Sequence, residues 1–298
     1  MSGCYSLKNV DVSSFDTSKA YTFYEMFLNC YSLESLDLSS FNVSGIDNMN
    51  KMFQNCNSLE SLNLKSFAES QVNNVENMFK DCIKLKSLDL SNFKINPSSM
   101  AFMFQNCSSL EYLNIPKIYT DNWNYYNNYL FDGCNSLKYL DLSSFKMSKI
   151  NSLSYMFRNC YSLTSIDFPN FEMTNVRNMI STFENCGSLT SLDLSHFNTS
   201  LVSDMTKTFN NCTSLKYLNL KFNTENVEKM EKMFGDCTAL ISLDISTFNT
   251  SKCTNFNDMF LNDDGLDLYY NKTICENLVD QIPDYVKKHD ISDNDNFN

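Results

Sequence analysis

Histidine, glycine and proline are scarce in this chain, and their scarcity argues against several classes of enzyme. The 298 residues include two His, six Gly and four Pro. His196 and His289 are far apart in the sequence, and neither belongs to a hydrolytic constellation. No phosphate-binding glycine loop, GxSxG elbow or HExxH motif is present. The sequence therefore predicts no catalytic residues, no metal site and no cofactor.

Basic residues and long apolar runs are also lacking. Lys and Arg number 23 against 35 Asp and Glu, which gives a net charge of −12. Because nucleic-acid binding depends on positive charge, nucleic acid is not an expected partner. No stretch is apolar for the roughly eighteen residues that a membrane-spanning helix needs, and the first residues have no signal-peptide pattern. The 43% hydrophobic content nevertheless predicts a folded chain with a large core.

Cysteine, in contrast, recurs with a fixed period. Successive cysteines are separated by 26, 26, 26, 25, 27, 26, 26, 26 and 25 residues. Such a period indicates one solenoid in which each repeat unit, or rung, stacks on the next. The cysteines of this column are Cys4, Cys30, Cys56, Cys82, Cys107, Cys134, Cys160, Cys186, Cys212 and Cys237.

Each rung combines two apolar periods. Before Cys56, the residues Ile46, Met49, Met52 and Phe53 recur at helical spacing, which predicts a short helix ending near the cysteine. After it, the segment LNL alternates as a strand does. The predicted fold class is α/β: a right-handed leucine-rich-repeat solenoid with a parallel sheet on one face and short helices on the other.

The repeat pattern fades towards the C-terminus. Residues 1–268 are predicted to form the array, because Leu266 and Leu268 are its last strand-like residues. A capping-box spacing and a following apolar pattern predict a capping helix over 269–283. The polar, acidic residues 284–298 are predicted to be a disordered tail.

The strand motif LxxLxL is that of leucine-rich repeats. The whole unit, MFxNCxSLxSLDLSxFNTSxVxxM, resembles the 26-residue repeat of the BspA-like family of bacterial surface proteins. Copies such as MFQNCNSLESLNLKSF and MFRNCYSLTSIDFPNF carry this resemblance, which extends from residue 1 to about residue 261. It implies a cell-surface or secreted solenoid, often linked to adhesion, with no catalytic residues.

The cysteine column does not have the spacing of a metal site. Zinc ligands usually come in pairs two to four residues apart, whereas here each neighbour is a whole rung away. Stacking would bring neighbouring thiols close enough for disulfides, but a thiol in an apolar core is more often a small buried hydrophobe. Cys253 and Cys275 lie off the column and could pair or be reactive.

The open face of the sheet supplies one set of candidate ligand-binding residues. Polar residues between the paired leucines form an acidic stripe that includes Asp141 and Asp167, and three tyrosines stand at flanking positions: Tyr112, Tyr139 and Tyr217. These are candidate contacts for a partner. The alternative is that short polar residues simply tolerate close stacking of solvated strands.

An irregular rung supplies a second set. The segment DNWNYYNNYLFDGC lacks the usual methionines and contains the one Trp of the chain. Trp123, Tyr125, Tyr126 and Tyr129 could form an exposed aromatic cluster of the kind that anchors interfaces or stacks on sugars. Alternatively, these aromatic residues replace the usual core residues.

These patterns favour a non-enzymatic, surface-exposed adhesion or recognition solenoid that binds a protein or glycan partner. The alternative is an intracellular or self-assembling scaffold, with end-to-end association through the uncapped N-terminal rung.

Overall fold

The computed structural model describes residues 1–69, 71–97, 99–115, 117–118, 128–143, 145, 149–168 and 174–292. By its internal contacts the chain divides into two units. Unit 1 comprises Met1–Met147 and Asn159–Pro169, and unit 2 comprises Ser148–Arg158 and Asn170–Asn298. The sequence had predicted a single array over most of this length.

Unit 1 is built from short parallel strands. Its strands are β1 Ser35–Asp37, β2 Ser61–Asn63, β3 Gln71–Val72, β4 Ser87–Asp89, β5 Lys94–Ile95, β6 Tyr112–Asn114, β7 Lys117–Ile118, β8 Tyr139–Asp141 and β9 Ser165–Asp167, with a 3-10 helix at Lys65–Glu69. Three pairs of rung strands, β1 with β2, β4 with β6 and β8 with β9, are parallel and in register, so that Leu36 is opposite Leu62 and Leu140 is opposite Ile166. The strands β3, β5 and β7 form a separate parallel sheet.

Unit 2 repeats the arrangement in one five-stranded sheet. Its strands, in spatial order, are β10 Ser191–Asp193, β11 Tyr217–Asn219, β12 Ser242–Asp244, β13 Asp267–Tyr270 and β14 Lys287–Asp290, with one helix, α1 Glu276–Val279, between the last two. All neighbouring pairs are parallel. Parallel pairing of consecutive rungs confirms the solenoid prediction.

The prediction of a helix before each cysteine is wrong. Lys51 and Asn55 have φ of 56° and 62°, in the left-handed region that ends a right-handed helix. The N–H of Met52 donates to the carbonyl of Met49, three residues back, at 3.1 Å. The N–H of Met49 donates instead to the carbonyl of Asn74 in the next rung, at 2.9 Å. The segment is therefore a series of tight turns hydrogen-bonded to its neighbours, and the fold is mostly β rather than α/β.

The turns and a helix share an apolar spacing, which explains the error. Turns closed by bonds to the third residue back repeat every three residues, close to the helical period of 3.6. Both structures place residues such as Met49, Met52 and Phe53 on the same buried side. The distinguishing signal is the residue before the cysteine, because Asn, Asp and Gly tolerate positive φ. This position is occupied by Asn29, Asn55, Asp81, Asn106, Gly133, Asn159, Asn185, Asn211, Asp236 and, in the last rung, Asn262.

Stacked phenylalanine rings run through the core of each unit. In unit 1 the ring centroids of successive rungs lie 5.5 to 5.8 Å apart, with interplanar angles of 11° or less. In unit 2 the spacing is 5.3 to 5.7 Å. Each ring thus finds its main packing partners in the rungs above and below it. The two columns are Phe27, Phe53, Phe79, Phe104 and Phe131 in unit 1, and Phe157, Phe183, Phe209, Phe234 and Phe260 in unit 2.

Strand β14 replaces part of the predicted disordered tail. Residues Lys287–Asp290 pair in parallel with β13, so the prediction of disorder is wrong for them. Asp267 on β13 holds the strand, because its carboxylate contacts Lys287 Nζ at 2.8 Å and His289 Nε2 at 2.9 Å. The imidazole also stacks on Tyr269, with 4.7 Å between ring centroids. Composition indicated a disordered tail, but these specific contacts order Lys287–Asp290. Helix α1 lies within the predicted capping segment.

The left-handed residues give a direct test of the turn geometry. Asn211 has a φ of 59°, and its Nδ2 donates to Asn185 Oδ1 at 2.8 Å. Asn211→Ala should lower the free energy of unfolding by about 1–2 kcal/mol, because a β-carbon is strained in this conformation. Asn211→Gly relieves the strain and loses only the side-chain bond, so it should destabilise less. Urea unfolding of both variants measures the difference, and an alanine variant as stable as the glycine variant would contradict the geometry.

Candidate binding surfaces

The column cysteines of the interior rungs are buried, and each donates a hydrogen bond to the preceding rung. The thiol of Cys82, for example, lies 3.2 Å from the carbonyl oxygen of Phe53, and the other rungs have 3.1 to 3.3 Å. Burial raises the pKa of the Cys56 and Cys82 thiols, so the reactive thiolate is suppressed. Burial also raises the pKa of the off-column Cys253 and Cys275 to about 11. The burial confirms the interpretation of the column as a core element.

Outward-facing residues of the rung strands form two rows in unit 1, called here the strand face. The first row is the first residue of each strand and the second row is the third residue, because the middle residue points into the core. The first row consists of Ser35, Ser61, Ser87, Tyr112, Tyr139 and Ser165. The second row consists of Asp37, Asn63, Asp89, Asn114, Asp141 and Asp167.

The carboxylates of the second row fold the turn that follows each strand. The N–H of Ser39 donates to Asp37 Oδ1 at 2.8 Å, and the N–H of Ser143 donates to Asp141 Oδ1 at the same distance. Hydrogen bonds from the Ser39 hydroxyl and N–H hold the pKa of Asp37 below its usual range. The acidic stripe therefore has a structural role that the Asp-x-Ser spacing could have indicated, since such residues form Asx turns.

Two predicted tyrosines stand together on the strand face. Strands β6 and β8 belong to separate two-stranded sheets but lie near each other, and Tyr112 and Tyr139 are the first residues of these strands, with 68% and 48% of their surface exposed. The Tyr139 hydroxyl donates to Asp167 Oδ2 at 2.6 Å, and this bond raises the pKa of Tyr139 to about 12. Asp141 and Asp167 are register partners in β8 and β9. Four of the candidate residues thus lie on one surface.

The remaining candidates are separate from that surface. Tyr217 belongs to unit 2, where it is 62% exposed and lies opposite Ser191 and Ser242. Tyr129 is half-buried and stacks on Phe102 at a centroid distance of 5.1 Å.

Three candidates of the irregular rung, Trp123, Tyr125 and Tyr126, lie outside the described residues. Both interpretations of that rung, as an exposed aromatic cluster or as replacement core, stay predictions.

Neither a metal centre nor a membrane helix is found in the described ranges. Within them, no group of three or more His, Cys, Asp or Glu side chains is placed to hold a metal ion. No helix in the same part of the chain is long and apolar enough to cross a membrane.

Short parallel strands repeating with the leucine and cysteine period define a leucine-rich-repeat β-solenoid. The chain belongs to the family described as "Mycoplasma protein of unknown function, DUF285", whose model matches residues 1–114 and 181–281. A second model, the BspA type leucine rich repeat region, matches residues 69–180 in six copies. The resemblance to BspA-like repeats is thereby confirmed, whereas the sequence motifs had not indicated the first family. No curated protein matches the chain.

Several solved structures are similar to this chain. A leucine rich cell surface protein from Faecalibacterium prausnitzii has 17% identity and a TM-score of 0.44, covering 84% of this chain and 70% of that one. A leucine-rich repeat protein from Bacteroides ovatus has 21% identity and a TM-score of 0.35, covering 90% and 86%. The pneumococcal vaccine antigen PcpA has 13% identity and a TM-score of 0.38, covering 87% and 70%.

Proposed function

We propose that this protein is a non-enzymatic recognition solenoid of the cell surface that binds a protein or glycan partner through the strand face of unit 1. The observation that carries the proposal is the exposed pair Tyr112 and Tyr139 on nearby strands. The BspA-type repeats support the cell-surface assignment. The alternative, end-to-end association through the first rung, stays a prediction.

The tyrosine pair is a departure from the rest of its row. Serine occupies the first row in β1, β2, β4 and β9, and serine is sufficient for the solvated side of a strand. Tyrosine adds a large apolar ring with a polar end, which is the combination enriched where proteins contact partners. A pair on nearby strands offers a larger aromatic surface than either ring alone.

Asp167 orients one ring of this surface. Its bond to the Tyr139 hydroxyl restricts that side chain before any partner arrives, so less conformational entropy is lost on binding. Among the described residues no donor contacts Asp167 Oδ1 or Asp141 Oδ2, so these two oxygens can accept hydrogen bonds from a partner. Aromatic surface and adjacent acceptors together suit both peptide and sugar ligands.

The proposal is tested by replacing both tyrosines of the first row with serine, the residue found at the other positions of that row. Tyr112→Ser with Tyr139→Ser should weaken binding at least about tenfold, since aromatic anchors each contribute about 1–2 kcal/mol and 1.4 kcal/mol is tenfold. The probe is immobilised mucin, which presents both protein and glycan, measured by surface plasmon resonance of the full chain. The same assay after periodate oxidation of the mucin sugars separates a glycan ligand from a protein ligand.

Tyr217→Ser is the matched control, because it makes the same change in the same row position of unit 2. Its binding should equal that of the unchanged protein. Absence of mucin binding, or equal binding by the double variant, would refute the strand face as the recognition surface.

A further inference from the structure

A cavity of about 450 Å³ lies in unit 1 and includes no residue of the strand face. Two successive rungs form it, and they pair there through a parallel bridge between Thr22 and Asn48. The Thr22 hydroxyl also donates to the carbonyl oxygen of Asn48 at 3.2 Å. Small-molecule sites usually have volumes of about 300–1,000 Å³, so this space is large enough for one. We call it the edge cavity; its lining residues are Tyr21, Thr22, Tyr24, Gly45, Asp47 and Asn48.

Two tyrosines of the edge cavity depart from the residues at the same rung positions. Tyr21 and Tyr24 precede the column cysteine of their rung by nine and six residues. No aromatic residue holds either position in the other described rungs, and the next rung has Asp47 and Asn50 there. Tyr21 and Tyr24 are 78% and 46% exposed, so neither is needed to fill the core. Exposed rings that the fold does not require are typical of a surface that contacts a ligand.

Gly45 is a third departure in the same place. The equivalent positions of the rungs before and after it have the long side chains of Lys19 and Gln71. A β-carbon at residue 45 would stand 3.3 Å from the carbonyl oxygen of Ala20. Glycine therefore suits both the close approach of the two rungs and an open cavity beside the tyrosines.

One of the two rings already has a cation beside it. Lys51 Nζ lies 5.8 Å from the centroid of the Tyr24 ring and 3.2 Å from Glu25 Oε1. Hydrogen bonding to Glu25 raises the pKa of the Tyr24 hydroxyl. Tyr24 is thus held by its neighbours, and the more exposed Tyr21 offers the more accessible ring for a ligand.

The polar residues of the edge cavity include both an acceptor and a donor. Asp47 Oδ1 accepts from the amide of Asn73, and no donor in the described ranges contacts Asp47 Oδ2. Asn48 Oδ1 accepts from the N–H of Asn50 at 2.9 Å, while Asn48 Nδ2 has no acceptor among the residues that the structure describes. A carboxylate oxygen and an amide N–H group are therefore available beside the exposed rings.

This combination of groups favours one class of occupant. A basic side chain could donate to Asp47, but it offers no acceptor for the Asn48 amide. An anion would be opposed by Asp47 and by the net charge of −12. A sugar hydroxyl donates and accepts while remaining uncharged, and the apolar face of a pyranose packs on an aromatic ring. A neutral sugar residue therefore matches the aromatic, acceptor and donor groups together.

We propose that the edge cavity binds one neutral pyranose residue of a glycan. The sugar ring packs on Tyr21, one hydroxyl donates to Asp47 Oδ2 and another accepts from Asn48 Nδ2. This site goes beyond the proposed function, because it shares no residue with the strand face and the two proposals can fail separately.

Replacing the accessible tyrosine is the decisive experiment. The probes are the methyl glycosides of glucose, galactose, mannose and N-acetylglucosamine, titrated into the full chain and followed by saturation-transfer NMR. At least one should bind, and Tyr21→Asn should weaken that binding at least about tenfold, because the packing surface of the sugar ring is lost. Asp47→Asn should weaken the same glycoside by a smaller factor, since a charge-assisted hydrogen bond becomes a neutral one.

Tyr31→Asn is the matched control. Tyr31 is 41% exposed in the same unit, stacks on Tyr5 and is not a lining residue of the edge cavity. Asparagine occupies its position in the next rung, as Asn57. Glycoside binding by this variant should equal that of the unchanged protein. Thermal melting should place all three variants within about 2 °C of the parent, as expected for exposed positions.

Four outcomes would overturn the site: no glycoside binds, Tyr21→Asn binds as well as the parent chain, Tyr31→Asn loses binding to the same extent, or lysine methyl ester binds in a salt-sensitive way in place of the sugars. If the edge cavity fails while mucin binding still depends on Tyr112 and Tyr139, the proposed function stands without it. If glycosides bind at the edge cavity but mucin binding ignores the Tyr112 and Tyr139 pair, the strand face falls instead.

Discussion

Replacing Phe209 with alanine should lower the free energy of unfolding by about 3–5 kcal/mol, the usual cost of deleting a buried phenylalanine. The ring is fully buried, and its centroid lies 5.6 Å from those of both Phe183 and Phe234. The substitution leaves a cavity in the middle of the column. It also removes two stacked contacts, each contributing about 0.5–1.5 kcal/mol beyond the buried area.

Phe209→Leu is the matched control, since leucine fills most of the volume without offering a flat ring. It should cost less than half as much as alanine in urea unfolding followed by circular dichroism. Tyr217→Ala, which removes an exposed aromatic side chain from the same unit, should change stability by no more than about 0.5 kcal/mol. A Phe209→Ala variant that loses less than about 1 kcal/mol would contradict a core held together by stacking between rungs.

Hydrogen exchange should show that the damage spreads beyond one rung. The N–H of Phe209 donates to the carbonyl oxygen of Met233, and the carbonyl oxygen of Phe209 accepts a hydrogen bond from the thiol of Cys237. Phe209 is therefore hydrogen-bonded directly to the following rung. Stability in repeat proteins is approximately a sum of rung and interface contributions, and a disturbed rung weakens both of its interfaces. Amides of adjacent rungs should therefore lose protection together.

The strands and their parallel stacking could be predicted because both follow from the need of each rung to bury its apolar side. Alternating residues such as Leu62 and Leu64 have a period of two, and a rung of 26 residues cannot bury its apolar side alone. The constant cysteine spacing indicates that equivalent residues meet. Side-chain burial, rung period and strand position all follow from this pattern.

The helix could not be excluded by apolar periodicity, because turns and helix bury the same residues. The asparagines at positions such as Asn55 and Asn211 could have indicated turns, because asparagine tolerates the positive φ found there. The order of β14 depended on a different kind of contact. Asp267 contacts Lys287 and His289, which are twenty or more residues away in the sequence. No local sequence pattern predicts such a contact.

The candidate surface was predictable only in part. Outward orientation of Tyr112 and Tyr139 follows from strand alternation, and the structure places them with Asp141 and Asp167. The bond between Tyr139 and Asp167 requires neighbouring strands to be in register, which the rung period implies but does not prove.

The last rung replaces the column cysteine by aspartate, and this substitution should make stability depend on pH. Asp263 follows Cys237 by one repeat, is 2% exposed, and neither of its carboxylate oxygens has a hydrogen-bond partner among the described residues. Burial, with the nearby Asp236 and Asp264 carboxylates, raises its pKa from 3.8 to about 8. Because the folded state binds this proton more tightly than the unfolded state does, the contribution of Asp263 is most favourable below about pH 4. It is lost progressively as the pH rises towards 8.

Asp263→Cys should therefore stabilise the protein increasingly as the pH rises. One pKa unit corresponds to about 1.36 kcal/mol, so the stability difference between variant and parent should widen by about 3 kcal/mol between about pH 5.5 and about pH 8. Urea unfolding across this range measures it while avoiding the isoelectric point near 4.6. Asp263→Asn, which removes the charge but keeps the shape, should follow the cysteine variant, whereas Asp244→Asn on the exposed strand surface should follow the parent. A difference that stays constant with pH would show that Asp263 ionises in the folded protein as freely as it does in water.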